Sequence, residues 1–222
     1  MELTRNEQLE TELLAEIDLS MQDDSRHQPS VSGMIYCLTK TYNEEFMVTG
    51  PVKHTDEQTL LFITGLGLEA TLLKGSQISE AGETDGIQWH LDHFGTDGKF
   101  KEIKSTRGSS KTSENISEGW RKQILAYFYA KNITEGDLAI LHLMGDYRPP
   151  MPQLRCWHMV ATQDEVNENW TWIKQRAATY AEFVEAKEAP TPYAYNMDWE
   201  CQYCQWKGLC DARKTLGSLM TL

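Results

Sequence analysis

Apolar positions along the chain recur at two spacings, one near-helical and one alternating, and these mark out its elements. Leu9, Leu13, Leu14 and Ile17 stand at helix-like intervals within residues 1–30, and a polar stretch from Gln22 to Pro29 follows, so this acidic N-terminal segment is either a docking helix or a loose tail. Residues 55–74 predict a helix with Leu60, Leu61, Ile63, Leu66 and Leu68 as its apolar content; Gly65 and Gly67 within it point to close packing or a break. Ile87 to Phe94 alternates, Gly95-Thr96-Asp97-Gly98 has turn chemistry, and Lys99 to Ser105 alternates again, which predicts a hairpin. A polar loop precedes a helix predicted over Ser117 to Lys131. Strands are predicted over Asp137 to Gly145 and Gln153 to Thr162, either side of Arg148-Pro149-Pro150, and a long helix over Asp164 to Lys187. Pro190-Thr191-Pro192 then leads into a cysteine-rich tail. The order helix, strand, strand, helix, strand, strand, helix gives an α/β plan, a mixed central sheet flanked by helices.

The chain has 222 residues, 40% of them hydrophobic, enough for one domain with a core and too many for wholesale disorder. No apolar run approaches the roughly 18–20 residues of a membrane span. The first twenty residues carry acids where a secretory signal carries bases and an apolar stretch, so the expectation is a cytoplasmic protein with no membrane partner. The formal charge of −12 argues against generic binding to a polyanion. The placing of that charge weakens the objection: residues 1–30 hold eight acids against two bases, half the excess. Lys99, Lys101, Lys104, Arg107 and Lys111, with Glu102 as the one acid among them, form a basic strip that is either a solvated strand edge or a surface that steers a phosphate chain.

Within that strip lies a candidate site. Glu102 and Lys104 are two apart on one strand and so project to the same side. The short turn brings Asp92 of the first hairpin strand close to them. Two carboxylates meeting at a point suit a hard divalent cation such as Mg²⁺. A lysine beside them can orient a water and offset charge on a phosphorane-like transition state. The bland alternative is an exposed hairpin with cross-strand ion pairs. Glu69, on the preceding helix, is a candidate third ligand. Gln123 and Tyr127, four apart on the following helix, share a face and can aim an amide and a phenol at one cleft, or simply flank a core of Trp120, Ile124 and Phe128.

A helix acid, a strand Asp, Glu-X-Lys and a Gln-X-X-X-Tyr helix, in that order, resemble the RecB-like branch of the PD-(D/E)XK nucleases. The resemblance spans residues 31 to 214 and implies a restriction-endonuclease-like core over 31–222. It implies that Asp92 and Glu102 bind Mg²⁺ or Mn²⁺, that Lys104 is catalytic, and that Gln123 and Tyr127 contact DNA, with Arg107 of the basic strip beside them. Many members carry a His on the preceding helix; this chain offers Glu69 there, and His54 is the weaker substitute.

Cys201, Cys204 and Cys210 fall within ten residues, and Cys37 lies far upstream. An odd total of five in a reducing compartment argues for metal or reactive thiols over disulfides. Three clustered thiolates and one distant one suit a clamp between the two ends of the chain, and spacing alone does not separate zinc from a four-cysteine iron–sulfur cluster. RecB-like members, the CRISPR-associated adaptation nucleases among them, place one early and three late cysteines around a [4Fe–4S] cluster. Cys37-Leu38-Thr39-Lys40-Thr41-Tyr42 and the late Cys-X-Tyr-Cys-X-Trp-Lys-X-X-Cys resemble those contexts, implying a cluster on Cys37, Cys201, Cys204 and Cys210. Cys156, in an alternating stretch, reads as a small core residue. Trp170 and Trp172, two apart on a helix, cannot both face inward, so one is at a contact or free to stack on a base. His90 shares the strand face of Asp92 and His93 flanks it. No Gly-rich phosphate loop is present.

The resulting expectation is a metal-dependent deoxyribonuclease, acting as an exonuclease on single-stranded DNA or DNA ends in recombination, repair or CRISPR adaptation. The alternatives are a catalytically inert DNA-binding subunit of a larger DNA-processing assembly and a zinc-bound structural module.

Overall fold

A computed structural model describes residues 29–47, 56–72, 80–94, 100–107, 116–143, 153–189, 197–202 and 204–219. Apart from Pro29 and Ser30, the acidic segment 1–30 lies outside these residues, as does the Gly95 to Gly98 turn. The elements in chain order are α1 (Val31–Ile35), α2 (Leu38–Phe46), α3 (Asp56–Leu72), β1 (Glu80–Thr84), β2 (Ile87–Leu91), β3 (His93–Phe94), β4 (Phe100–Thr106), α4 (Glu118–Lys131), β5 (Glu135–His142), β6 (Gln153–Val160), α5 (Gln163–Ala186), α6 (Met197–Gln202) and α7 (Lys207–Leu219). No helix among the described residues is long and apolar enough to cross a membrane.

Two of the helices are set by local chemistry at both ends. Ser117 caps α4, its Oγ accepting from the Trp120 amide at 3.2 Å, and Asn132 closes the helix in the left-handed region at φ 53°. Thr162 and Glu165 form a reciprocal capping box at the start of α5: Oγ1 of Thr162 accepts from the Glu165 amide at 3.2 Å, and Oε2 of Glu165 accepts from the Thr162 amide at 2.9 Å. These caps satisfy amides that have no partner within the helix.

The sheet is mixed, with strand order β3-β4-β5-β6. β4 and β5 run parallel, joined by the α4 crossover, while β3 and β6 lie antiparallel to their neighbours. Alternation along β5 buries Gly136, Leu138, Ile140 and His142 on one face. Against that face pack Ile124 and Phe128 of α4, and α5 adds Val166, Trp170 and Ile173; α1 completes the core with Val31, Met34 and Ile35.

The expected hairpin is divided. β2 leaves the main sheet and pairs with β1 in a separate two-stranded ribbon, and only the two residues of β3 pair with β4. The chain changes course at Asp92, which lies in a bend between β2 and β3 and not in a strand. β1 and β2 are joined by Asp85-Gly86, with φ 53° and 76°, the two positive values that a type I′ turn requires. The helix expected over 55–74 is unbroken at its glycines; a Cβ on Gly65 would sit 3.5 Å from Ser105 Oγ of β4, so the close approach is at that position. Its Leu60, Phe62 and Leu66 are about half exposed. Cys156 is exposed, not a core residue: β6 is an edge strand, and Cys156, His158 and Val160 take its outward face.

Candidate active site

β4 supplies two of the three residues that the sequence singles out. Glu102 and Lys104 project to one side, and Lys104 Nζ meets Glu102 Oε1 at 2.5 Å. Glu102 is 1% exposed, and its Oε2 is buried without a hydrogen-bond partner. Asp92 is drawn to the same strand by a different route. Its Oδ2 accepts from the Ile103 amide at 2.7 Å, in the place a neighbouring strand's carbonyl would take. The bend at Asp92 thus brings the second carboxylate beside the first.

Burial pushes the Glu102 carboxyl up to about 7; the Lys104 ammonium pulls it back, and the Asp92 charge adds to the rise. Burial lowers Lys104, but Glu102 and Asp92 outweigh it and leave the ammonium above its ordinary value. An acid raised by burial, a second carboxylate and a lysine held charged thus stand together at β4. A carboxylate oxygen that is buried and unpartnered is expensive unless something positive or donating meets it. Together with Asp92 it is a donor set of the kind a hard, oxygen-seeking cation takes. Glu69 lies on α3, which packs against β4, but its side chain is outside the described residues, as is all of His54. Among the described residues no group of three or more His, Cys, Asp or Glu side chains is close enough to hold a metal ion.

α4 closes the other side. Gln123 Nε2 donates to Tyr127 Oη at 2.7 Å, so the pair expected to share a face does so and is joined. Tyr127 is 2% exposed. Burial, and next the charge of Glu102, hold its phenol well above the ordinary tyrosine range, so it stays protonated. Arg107 is exposed just past the end of β4, three residues beyond Lys104. His90 is exposed on β2, and because Asp92 lies off the strand the two do not share a strand face; His93 is buried. Trp170 is buried, stacked on Tyr129 and donating to Asp85 Oδ2 at 2.9 Å. The Trp172 ring is engaged by cations, with Lys122 Nζ 4.2 Å and the Arg176 guanidinium 5.0 Å from its centroid.

Sequence reasoning passed over Tyr36, the residue that ends α1. Its Oη lies 2.9 Å from the position of a Cβ on Gly119. Burial raises its phenol, and Lys104 lowers it in turn, which places Tyr36 within electrostatic reach of the β4 lysine. No periodicity marks such a residue; its adjacency to Cys37 is the one signal the sequence carries.

The thiols gather from both ends of the described chain. Cys37 is buried at the start of α2, Cys201 lies in α6, Cys204 follows it and Cys210 lies in α7. Burial raises Cys201 and Cys210, and each is raised further by Cys37 and Cys204, so the four thiols are within electrostatic reach of one another. They are gathered without being drawn to ligand distance.

No protein-family model and no curated protein matches the chain. Among solved structures, the protein SSO0001 aligns over 92% of this chain and 97% of its own, at 19% identity and a TM-score of 0.56. An alkaline exonuclease from Laribacter hongkongensis aligns over 78% of this chain and 97% of its own, at 13% identity and a TM-score of 0.49. A phage-related exonuclease from Haemophilus somnus 129PT aligns over 77% of this chain and 99% of its own, at 9% identity and a TM-score of 0.48. At such identities likeness speaks of fold, and the chain shares its mixed α/β fold with SSO0001.

Proposed function

We propose that the protein is a metal-dependent deoxyribonuclease of the RecB-like PD-(D/E)XK type, hydrolysing phosphodiester bonds as an exonuclease on single-stranded DNA or DNA ends. The observation that carries this reading is the buried Glu102–Lys104 pair beside Asp92, with one Glu102 oxygen left unpartnered. A buried carboxylate oxygen of this kind is costly unless a positive or donating group meets it, and a cation between Glu102 and Asp92 would do so.

Asp92, Glu102 and Glu69 would hold Mg²⁺ or Mn²⁺. When bound, such an ion polarises a phosphate and makes water a stronger nucleophile at neutral pH. Lys104, kept charged by the two acids, donates to the attacking water or to a non-bridging phosphate oxygen and offsets the charge that grows there. Asp92 orients β4 through the Ile103 amide and so fixes the angle at which Glu102 and Lys104 enter the pocket. Gln123 and Tyr127 are assigned to DNA contact as a pair: the buried Tyr127 phenol accepts from Gln123 Nε2 and holds that half-buried amide where its second N–H can meet the DNA backbone. Arg107, exposed beyond β4, is assigned to more distant phosphates.

Cys37, Cys201, Cys204 and Cys210 would carry a [4Fe–4S] cluster that clamps residue 37 to the C-terminal helices. The mutual electrostatic reach of the thiols supports this, and the one-plus-three spacing supports it independently. The setting of recombination, repair or CRISPR adaptation follows from the sequence resemblance alone.

The test is degradation of end-labelled single-stranded DNA with Mn²⁺ by the full chain. Wild type degrades it, and Asp92→Ala and Lys104→Ala do not. Equal activity in those variants removes the site assignment.

A further inference from the structure

We propose that residues 1–28 of this chain dock as a helix on the open side of α3, seating the apolar stripe of Leu9, Leu13 and Ile17 against Leu60, Ile63 and Gly67.

Two glycines define that side. Gly65 and Gly67, two apart, take different sides of α3. A Cβ on Gly65 would meet Ser105 Oγ of β4, so that side is turned to the sheet; a Cβ on Gly67 would meet no described atom within 4 Å, so that side is open. Leu60 and Ile63 lie seven and four residues before Gly67, which puts them on its side, and both are exposed, as is Leu61 next to them. The chemistry is unlike that of an ordinary surface helix. No charged residue stands between Glu57 and Glu69, and the consecutive Leu60, Leu61, Phe62 and Ile63 point four ways around the axis. A helix that is apolar all round is one that its neighbours cover. β4 meets one side of α3, and on the open side the apolar residues call for a second cover.

Match, reach and charge identify the occupant. Leu9, Leu13 and Ile17 recur every four residues and form one stripe along a helix, with Leu14 beside it. That stripe and the one from Leu60 to Gly67 are each about 11–12 Å long. Set among the eight acids of residues 1–30, it needs what α3 needs, an apolar partner on one side and water on the other. The tether is long enough. It starts from Pro29, whose carbonyl accepts from the Gln88 amide of β2 at 2.8 Å. The eleven residues 18–28 reach about 36 Å when extended. A domain of this length has a radius of gyration of about 17 Å, so that reach takes the stripe from β2 to α3. Tethering also gives the segment an effective concentration of about a millimolar, which a separate chain lacks. A second copy would bring its own formal charge of −12 against this one. Of the two readings that the sequence leaves open for residues 1–30, the exposed side of α3 thus favours the docking helix over the loose tail.

The test is hydrogen exchange on the full chain, read by mass spectrometry, with light scattering to fix the oligomeric state. It needs neither metal nor DNA, so its outcome is separate from that of the nuclease reading. In monomeric wild type, the amides of residues 60–67 and of residues 9–17 are expected to be protected together. Leu13→Glu combined with Ile17→Glu keeps good helix formers and removes the stripe. It is expected to speed exchange over residues 60–67 about tenfold and to leave α4 and β5 unchanged. Leu60→Glu combined with Ile63→Glu is expected to release residues 9–17 in turn, which a change confined to α3 would not do. Exchange over residues 60–67 that Leu13→Glu with Ile17→Glu leaves unaltered overturns the docking and leaves this side of α3 to a partner outside the chain. A wild-type dimer that Leu60→Glu with Ile63→Glu converts to monomer, with residues 9–17 unprotected in both, overturns it in favour of a second copy.

Discussion

Glu102 is a carboxylate folded where water does not reach, and its response to pH follows. Its folded value of about 7 exceeds the ordinary 4.5, so between those limits the folded chain holds a proton that the unfolded chain has released. The contribution is therefore favourable at low pH and is lost as pH rises through about 7. Metal-free protein should lose stability from about pH 5 to pH 8, by at most about 1.4 kcal/mol per pH unit, and Glu102→Gln should flatten that slope. Thermal unfolding in chelator across this range measures it; an unchanged slope in Glu102→Gln sinks the idea. Lys104→Ala strands the same carboxylate. It should cost about 3 kcal/mol at pH 8 and less at pH 6, where Glu102 takes up a proton instead, as read by urea unfolding at the two values. The placing of Glu102 and Lys104 was legible because a period of two needs no knowledge of the fold. Asp92 was legible as an acid near them, but not its bend. That depends on a side chain taking a sheet hydrogen bond from Ile103, an exchange no local pattern announces.

Among the elements, the long ones with clear periodicity or caps, α3, α4, α5, β5 and β6, stand where the pattern puts them, to within a few residues. The ribbon was missed for a physical reason. Glu80–Thr84 has no apolar alternation, and its half-buried positions are met by β2 and by Lys131, whose Nζ lies 2.8 Å from Glu80 Oε2. The Asp85-Gly86 turn was its only local sign. α1 is too short to show a period, and it is held from outside by Arg176. Arg176→Met should leave two buried carbonyls without their donor and cost about 2–4 kcal/mol, measured by chemical unfolding with the far-ultraviolet dichroism of the folded state retained. Thr162→Ala, which removes half of a capping box, should cost about 1 kcal/mol in the same assay.

At the scale of the molecule, the proposed cluster would tie α2 to α6 and α7 across most of the sequence. Closing a loop of that length stabilises by several kcal/mol, roughly. Protein purified without oxygen should absorb near about 400 nm, and Cys204→Ala should be colourless and less stable. Colourless wild type holding zinc would discard iron while keeping the clamp. The spacing of the cysteines suggests a link between Cys37 and the late thiols; the packing of Tyr36 over Gly119 has no such sign, because it depends on where α1 meets α4.

Cys156 gives the molecule a practical handle. Of the five cysteines it is the exposed one, while the other four are buried or partly so. Its strand partner is Ala139, whose partner on the other side is Ile103, so it stands in line with the site's own strand, two steps or about 10 Å across the sheet. A maleimide dye should therefore couple there first and leave the grouped thiols untouched. Ile103, Ala139 and Cys156 take the sheet face opposite Glu102 and Lys104, so a dye there would stand behind the site and leave it open.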